Sequence, residues 1–169
     1  KTEEETMAIA KTLISYLKDR GIDYEMIEHA HTPTAAASAH AAHLPAHQVA
    51  KAVVLKDDGG YVVSVLPANH SLEIGWVNEA LERQLEMACE EEFGKIFKDC
   101  EVGAVPALGE AYGVQVIWDD ELAYTRDIYI EAGDHELLIW LERKDFKALM
   151  SGLPHTIISK DEEVGSWKY

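Results

Sequence analysis

Two stretches of this chain combine residue types that could act on an ester carbonyl. Lys51 stands at the start of the apolar run Ala50–Lys56, which holds no other polar residue before Lys56. A lysine at the mouth of such a run can be partly desolvated and aimed into a pocket, where its ammonium is a donor of fixed position. A lysine at a strand end can equally lay its stem on apolar surface and keep its charge in water. The second stretch is Gly103-Ala-Val-Pro-Ala-Leu-Gly109. Two glycines and a proline fix a tight backbone path. Consecutive free amides there could polarise an ester carbonyl or hold an oxyanion. A plain connection between two elements has the same composition, so the residues alone leave both readings open.

Histidines form a third group. His29 and His31 lie two apart, and His40, His43 and His47 follow at spacings of three and four. Such spacing can suit a metal. Pro45 interrupts the row, however, and no Cys or carboxylate sits among these histidines, so no metal is expected. Ala132-Gly133-Asp134-His135 reads as a turn that could also place His135 beside a substrate. The chain has no Gly-x-Ser-x-Gly elbow and no phosphate-cradling loop followed by Lys-Ser/Thr. Those absences count against serine-hydrolase and nucleoside-triphosphatase chemistry. Cys89 and Cys100 are the two cysteines. Their spacing is neither a zinc ribbon nor a disulfide framework, which points to a reducing compartment.

The 169 residues suit one domain, taken as 1–169, with 47% hydrophobic residues and a globular balance. No apolar run approaches the roughly 18 residues of a membrane span. Lys1 to Thr6 is polar and acidic, unlike a secretion signal. A cytoplasmic protein with no membrane partner is expected. Thirty-one acidic residues against 15 basic ones give a net charge of −16. Duplex DNA binding normally uses a broad basic face, so no DNA partner is expected and any nucleic-acid contact must be local.

These residues need elements to position them. Thr6 to Arg20 reads as an amphipathic helix with Ala10, Leu13, Ile14 and Leu17 on one face, stopped by Gly21. Tyr24 to Glu28 alternates like a strand. Thr34 to His43 is an Ala-rich helix opened by Thr34. Ala50–Lys56 and Tyr61–Leu66 flank Asp57-Asp58-Gly59-Gly60 as a hairpin. After a loop at Asn69-His70, Leu72 to Arg83 reads as a helix. Leu85–Ala88 is a short strand and Glu90–Phe97 a short helix. Val114–Trp118 is a strand, Ile128–Glu131 and Leu137–Leu141 pair, and Arg143–Met150 is the last helix, with an irregular tail beyond. The core therefore spans about 22–150, and the irregular mixture argues for an α+β or mixed α/β domain.

Taken in order, His31-Thr-Pro-Thr-Ala-Ala, Val49-Ala-Lys51-Ala-Val-Val-Leu, Val65-Leu-Pro67, Val102-Gly103-Ala-Val-Pro-Ala-Leu-Gly109 and Ile128-Tyr-Ile-Glu-Ala-Gly133 resemble the YbaK family. That family includes stand-alone aminoacyl-tRNA deacylases and the editing insertion domain of bacterial prolyl-tRNA synthetase. The resemblance runs from about Ile22 to Met150. It implies a mixed α/β fold around a strongly bent, barrel-like sheet. It also implies hydrolysis of the ester at the 3′ end of a mischarged tRNA, often tRNA for proline, without a cofactor. An aminoacyl-tRNA synthetase is a second implied partner.

Lys51 falls where the family's essential lysine lies, and Gly103 where its Gly-x-x-x-Pro loop begins. In this reading Lys51 and Gly103 are catalytic, and His31, Ala104, Val105, Pro106, Ala107 and His135 contact the substrate. The small loop residues suit a small aminoacyl group, such as alanine or cysteine. Three departures from the family stand out. Pro106 precedes by one residue the position where the family carries proline, here Ala107. Asn69-His70 replaces a common Gly-Asp. The net charge is unusually acidic for a tRNA-binding protein.

Overall fold

The structure is a computed structural model that describes residues 10–162. The first helix, α1 (Lys11–Asp19), buries Leu13 and Leu17 on one face and gives way to Gly21 in the left-handed region, at φ +65°. Residues 6–9, expected to begin this helix, lie outside the described part. Strand β1 (Glu25–Glu28) leads to α2 (Ala35–Ala41), where Thr34 caps the helix by accepting from the Ala37 N–H at 3.1 Å.

A long hairpin follows, β2 (Val49–Asp57) and β3 (Gly60–Pro67), in register from Ala50–Pro67 to Asp57–Gly60. Next come β4 (His70–Leu72), α3 (Ile74–Leu81), the two-residue β5 (Glu86–Met87) and α4 (Glu90–Phe93). Then β6 (Gln115–Asp119), β7 (Asp127–Glu131), β8 (Leu137–Glu142), α5 (Arg143–Leu149), β9 (His155–Thr156) and β10 (Ser159–Asp161) complete the described chain.

The main sheet runs β1-β8-β7-β2-β3-β6-β9, with β5 added to β2. It mixes antiparallel pairs with parallel ones at β2–β7, β3–β6 and β6–β9. This is the expected mixed α/β architecture; the sheet is bent but does not close, since β1 and β9 remain its edges. Alternation along the strands sends Ala50, Val54, Val63 and Val65 into the largest core cluster and Leu55 and Val62 into a second one. No described helix is long and apolar enough to cross a membrane.

Two local expectations change. His70–Leu72, read as loop and the first residue of a helix, is strand β4, while the expected helix runs Ile74–Leu81; the tail read as irregular contains β9 and β10. Strands β4 and β10 pair with each other antiparallel, from Ser159–Leu72 to Asp161–His70. Each is three residues long and finds its partner nearly 90 residues away, so neither carries a local pattern. A buried chain of hydrogen bonds fixes the pair to β6. His70 donates through Nδ1 to Ser159 Oγ at 2.8 Å, and Ser159 donates to Asp119 Oδ2 at 2.6 Å. The Ile158 N–H donates to the same oxygen at 3.0 Å.

Candidate active site

Strand β2 changes partner along one edge. It pairs with β7 at Val49 and Ala50 and with β5 at Leu55 and Lys56. Among the described residues, Lys51 to Val53 have no strand partner on that side. A cavity of about 120 Å³ opens at this gap, walled by Lys51, Ala52, Gly103, Val105, Glu131 and His135. Thr34 and Ala35, at the start of α2, close another side. One water needs roughly 10–15 Å³, so the space admits a small acyl group.

The Lys51 ammonium makes no hydrogen bond or ion pair among the described residues. Burial pushes its pKa below the ordinary lysine value, and the charge of Glu162 opposes that shift. A partly desolvated ammonium with no hydrogen bond, set in a cavity wall, makes the cavity a candidate binding site.

The glycine loop supplies the facing wall. Gly103 is at φ +78°, in the left-handed region open to glycine. A Cβ there would sit 3.3 Å from Glu90 Oε1 and 3.6 Å from His135 Cε1. The expected run of free amides from Gly103 to Ala107 is shorter in the structure. Ala104 N–H already donates to the Glu101 carbonyl at 3.0 Å, and Pro106 has no N–H. Ala104, Pro106 and Ala107 are buried behind the loop and do not line the cavity, whereas Gly103 and Val105 do. Gly109 has a packing role, since a Cβ there would meet methyls of Val63 and Val116 at 2.9 Å.

The β7–β8 turn forms the third wall. Glu131 Oε1 accepts from the backbone N–H groups of Gly133, Asp134 and His135 at 3.1, 3.2 and 3.0 Å. These bonds hold His135 at φ +62°, uncommon for a residue with a side chain. His135 donates through Nε2 to the Val102 carbonyl at 2.6 Å, tying the turn to the residue before Gly103. The Glu101 N–H donates to the Gly133 carbonyl at 2.7 Å. Burial raises the Glu131 pKa above the ordinary carboxylate value, and the N–H groups of His135 and Gly133 oppose the rise. His31 lies outside the wall. It is half-exposed, donates to Glu101 Oε2 at 3.1 Å, and stands 5.3 Å from the His135 ring centre.

The structure thus brings Lys51, Gly103, Val105 and His135 to one cavity. It leaves His31 at the rim and Ala104, Pro106 and Ala107 underneath. Sequence reading passed over Glu131. Its available signal was a carboxylate at a strand end, two residues before a glycine turn whose free N–H groups need an acceptor. A wider, open groove of about 960 Å³ lies elsewhere, lined by Trp118, Tyr124 and His155 among others. It contains none of the residues singled out for chemistry.

The fold has close counterparts among solved structures. A candidate trans-editing enzyme for prolyl-tRNA synthetase is 22% identical over 89% of this chain and 96% of its own, with a TM-score of 0.77. A hypothetical protein is 19% identical, with 89% of this chain and 100% of its own covered and a TM-score of 0.77. A candidate signal transduction protein from Marinobacter aquaeolei VT8 is 18% identical over 90% of this chain, with a TM-score of 0.73. This chain spans only 31% of that larger protein. At such identities these likenesses establish the fold. No curated protein matches the chain in sequence. The family described as the aminoacyl-tRNA editing domain matches residues 29–149, which include all three cavity walls. The chain therefore belongs to the aminoacyl-tRNA editing domain family.

Proposed function

We propose that this chain is a single-domain, metal-independent deacylase. It hydrolyses the ester of a tRNA carrying a small mismatched amino acid, such as alanine or cysteine, with tRNA for proline as a candidate acceptor. The observation that carries the reading is the unpartnered Lys51 ammonium in one cavity with Gly103. The family supports an editing role, and one structural counterpart is described as a candidate trans-editing enzyme for prolyl-tRNA synthetase.

In this mechanism the substrate ester is already more labile than an amide, so the site supplies position and charge rather than a nucleophile. Lys51 contacts the terminal phosphate, the ribose or the carbonyl and fixes the ester. The Gly103 N–H, with Val105 beside it, faces the carbonyl oxygen as it gains negative charge. Water adds to the carbonyl carbon, assisted by the neighbouring ribose hydroxyl. The bond to the ribose oxygen then breaks, giving free amino acid and a tRNA hydroxyl. The apolar wall of Ala50, Ala52 and Val105 suits a short side chain.

Lys51→Ala should lower deacylation of a responsive mischarged tRNA by about 100-fold or more, the effect of losing one transition-state donor, with an unchanged circular dichroism spectrum. Full activity in that variant would falsify the assignment. A second reading is a binding module without chemistry. The committed Ala104 N–H and the N–H missing at Pro106 favour it, because they leave few loop donors. A panel of mischarged tRNAs separates the two readings: a binder retards the tRNA but releases no amino acid.

A further inference from the structure

We propose that Glu131 is a substrate-binding residue whose Oε2 receives the protonated α-amino group of the aminoacyl ester. The proposal rests on the deacylase reading above and identifies which part of the substrate the third wall recognises.

Register comes first. β7 pairs in parallel with β2 through Tyr129–Val49 and Ile130–Ala50. Glu131 and Lys51 are the next residue on each strand, where the ladder opens into the cavity. Both line that cavity, yet they form no ion pair with each other. The carboxylate is also divided in its work. All three of its hydrogen bonds enter Oε1 from the Gly133, Asp134 and His135 N–H groups. Oε2 has no partner among the described residues. One oxygen is therefore anchored by the turn, which leaves the other without a hydrogen bond among the described residues.

The chemistry of the substrate matches this arrangement. In an aminoacyl ester the ammonium nitrogen is two bonds from the carbonyl carbon. A carbonyl held at Gly103 therefore puts a positive charge within a few ångströms, on the order of hydrogen-bond reach of the adjoining wall. Glu131 is the only acidic residue among the described residues lining the cavity. The nearby acceptor on the loop, the Val102 carbonyl, is already taken by His135. The titratable groups around the carboxylate are His135 and Asp134 on the turn, Cys100 on the preceding segment and Lys51 across the cavity, with Glu90 against Gly103 but outside the cavity lining. Burial raises the Glu131 pKa, and an arriving ammonium favours the charged form again. The site would then discriminate α-aminoacyl esters from acyl groups lacking the ammonium.

Binding of two stable probes tests this by calorimetry: the alanyl and lactyl amides of 3′-amino-3′-deoxyadenosine. They differ in carrying an α-ammonium or an α-hydroxyl. The wild-type chain should prefer the alanyl compound by about tenfold or more, as for a charge-assisted hydrogen bond. The preference should fade as pH rises through the α-amino pKa of about 7.7–8.0. Glu131→Gln keeps an oxygen for the three turn N–H groups, and it should abolish the preference while leaving lactyl binding unchanged. An intact preference in Glu131→Gln overturns the proposal. So does an equal loss for both probes, which would make Glu131 a turn anchor alone. Should that variant fail to fold, the wild-type pH series decides. A preference lost both above the ammonium pKa and on carboxylate protonation supports Glu131; one flat with pH, or lost only above the ammonium pKa, overturns it. Amino-acid release from mischarged tRNA is scored separately. Ammonium-dependent binding without release removes the deacylase reading and leaves the role of Glu131 standing. Release without ammonium preference removes only that role.

Discussion

At the scale of single residues, Lys51 sets the pH range in which the proposed chemistry can work. Its charged form is the useful one, and burial makes that form easier to lose than in an ordinary lysine near 10.5. The ammonium is lost as pH rises through the lowered pKa. On a lactyl-tRNA ester, which carries no α-ammonium to titrate, the alkaline limb of kcat/KM should therefore fall below pH 10.5. Glu162 pulls the lysine pKa upward, so Glu162→Gln should move that limb to still lower pH. A pH–rate profile of both proteins, corrected for spontaneous ester hydrolysis, reads this directly, and a limb that stays put contradicts it. Cys100, by contrast, is removed from chemistry: burial pushes its thiol up to about 12. The proton on Tyr112 is also firmly held, chiefly by burial, while its hydroxyl donates to Asp99 at 2.7 Å. Neither group lines the cavity, whose titratable side chains among the described residues are Lys51, Glu131 and His135.

At the scale of elements, the C-terminal pair β4–β10 depends on a few buried polar atoms. Ser159 is 4% exposed and links His70 to the fully buried Asp119. Ser159→Ala would leave a buried His70 donor and a carboxylate oxygen short of a partner. It should cost about 1–3 kcal/mol, read as a lower urea midpoint with an unchanged m-value. These short strands were illegible in the sequence for a physical reason. Three residues show too little alternation to mark a strand, and the pairing is settled by packing far along the chain. The β2–β3 hairpin was legible because its apolar, β-branched runs and its Asp57-Asp58-Gly59-Gly60 turn are both local. The same division holds at the site. Lys51 and the glycine loop stood out by type and spacing. The committed Ala104 N–H and the anchored Glu131 depend on backbone geometry that spacing does not carry. Gly109 showed the opposite case, a motif glycine whose role is to let the loop approach Val63 and Val116.

At the scale of the whole molecule, the net charge of −16 constrains how a tRNA can dock. A broad basic face would make affinity collapse with salt. Under the proposed function the contacts are local to Lys51, the one Lys or Arg among the described residues lining the cavity, so the slope of log K against log[salt] should be shallow, about −1 to −2 for contacts to a single-stranded 3′ end. Filter binding between 50 and 200 mM salt, on the order of the range where such slopes are read, measures it. A slope several times steeper would require a positive surface from a partner, for which an aminoacyl-tRNA synthetase is the natural candidate.

The gap along β2 has a mechanical meaning as well. The β1-β8-β7 half of the sheet joins the β2-β3-β6-β9 half through only two residue pairs, Val49–Tyr129 and Ala50–Ile130. The β2–β3 seam, in contrast, holds eight. The narrow seam ends where Lys51 and Glu131 begin, so the two sides of the cavity belong to different halves of the sheet. One core cluster nonetheless packs both halves together, Ile128, Ile130 and Ile139 with Ala50, Val63 and Val65, so this shared core fixes the spacing between the cationic and anionic walls.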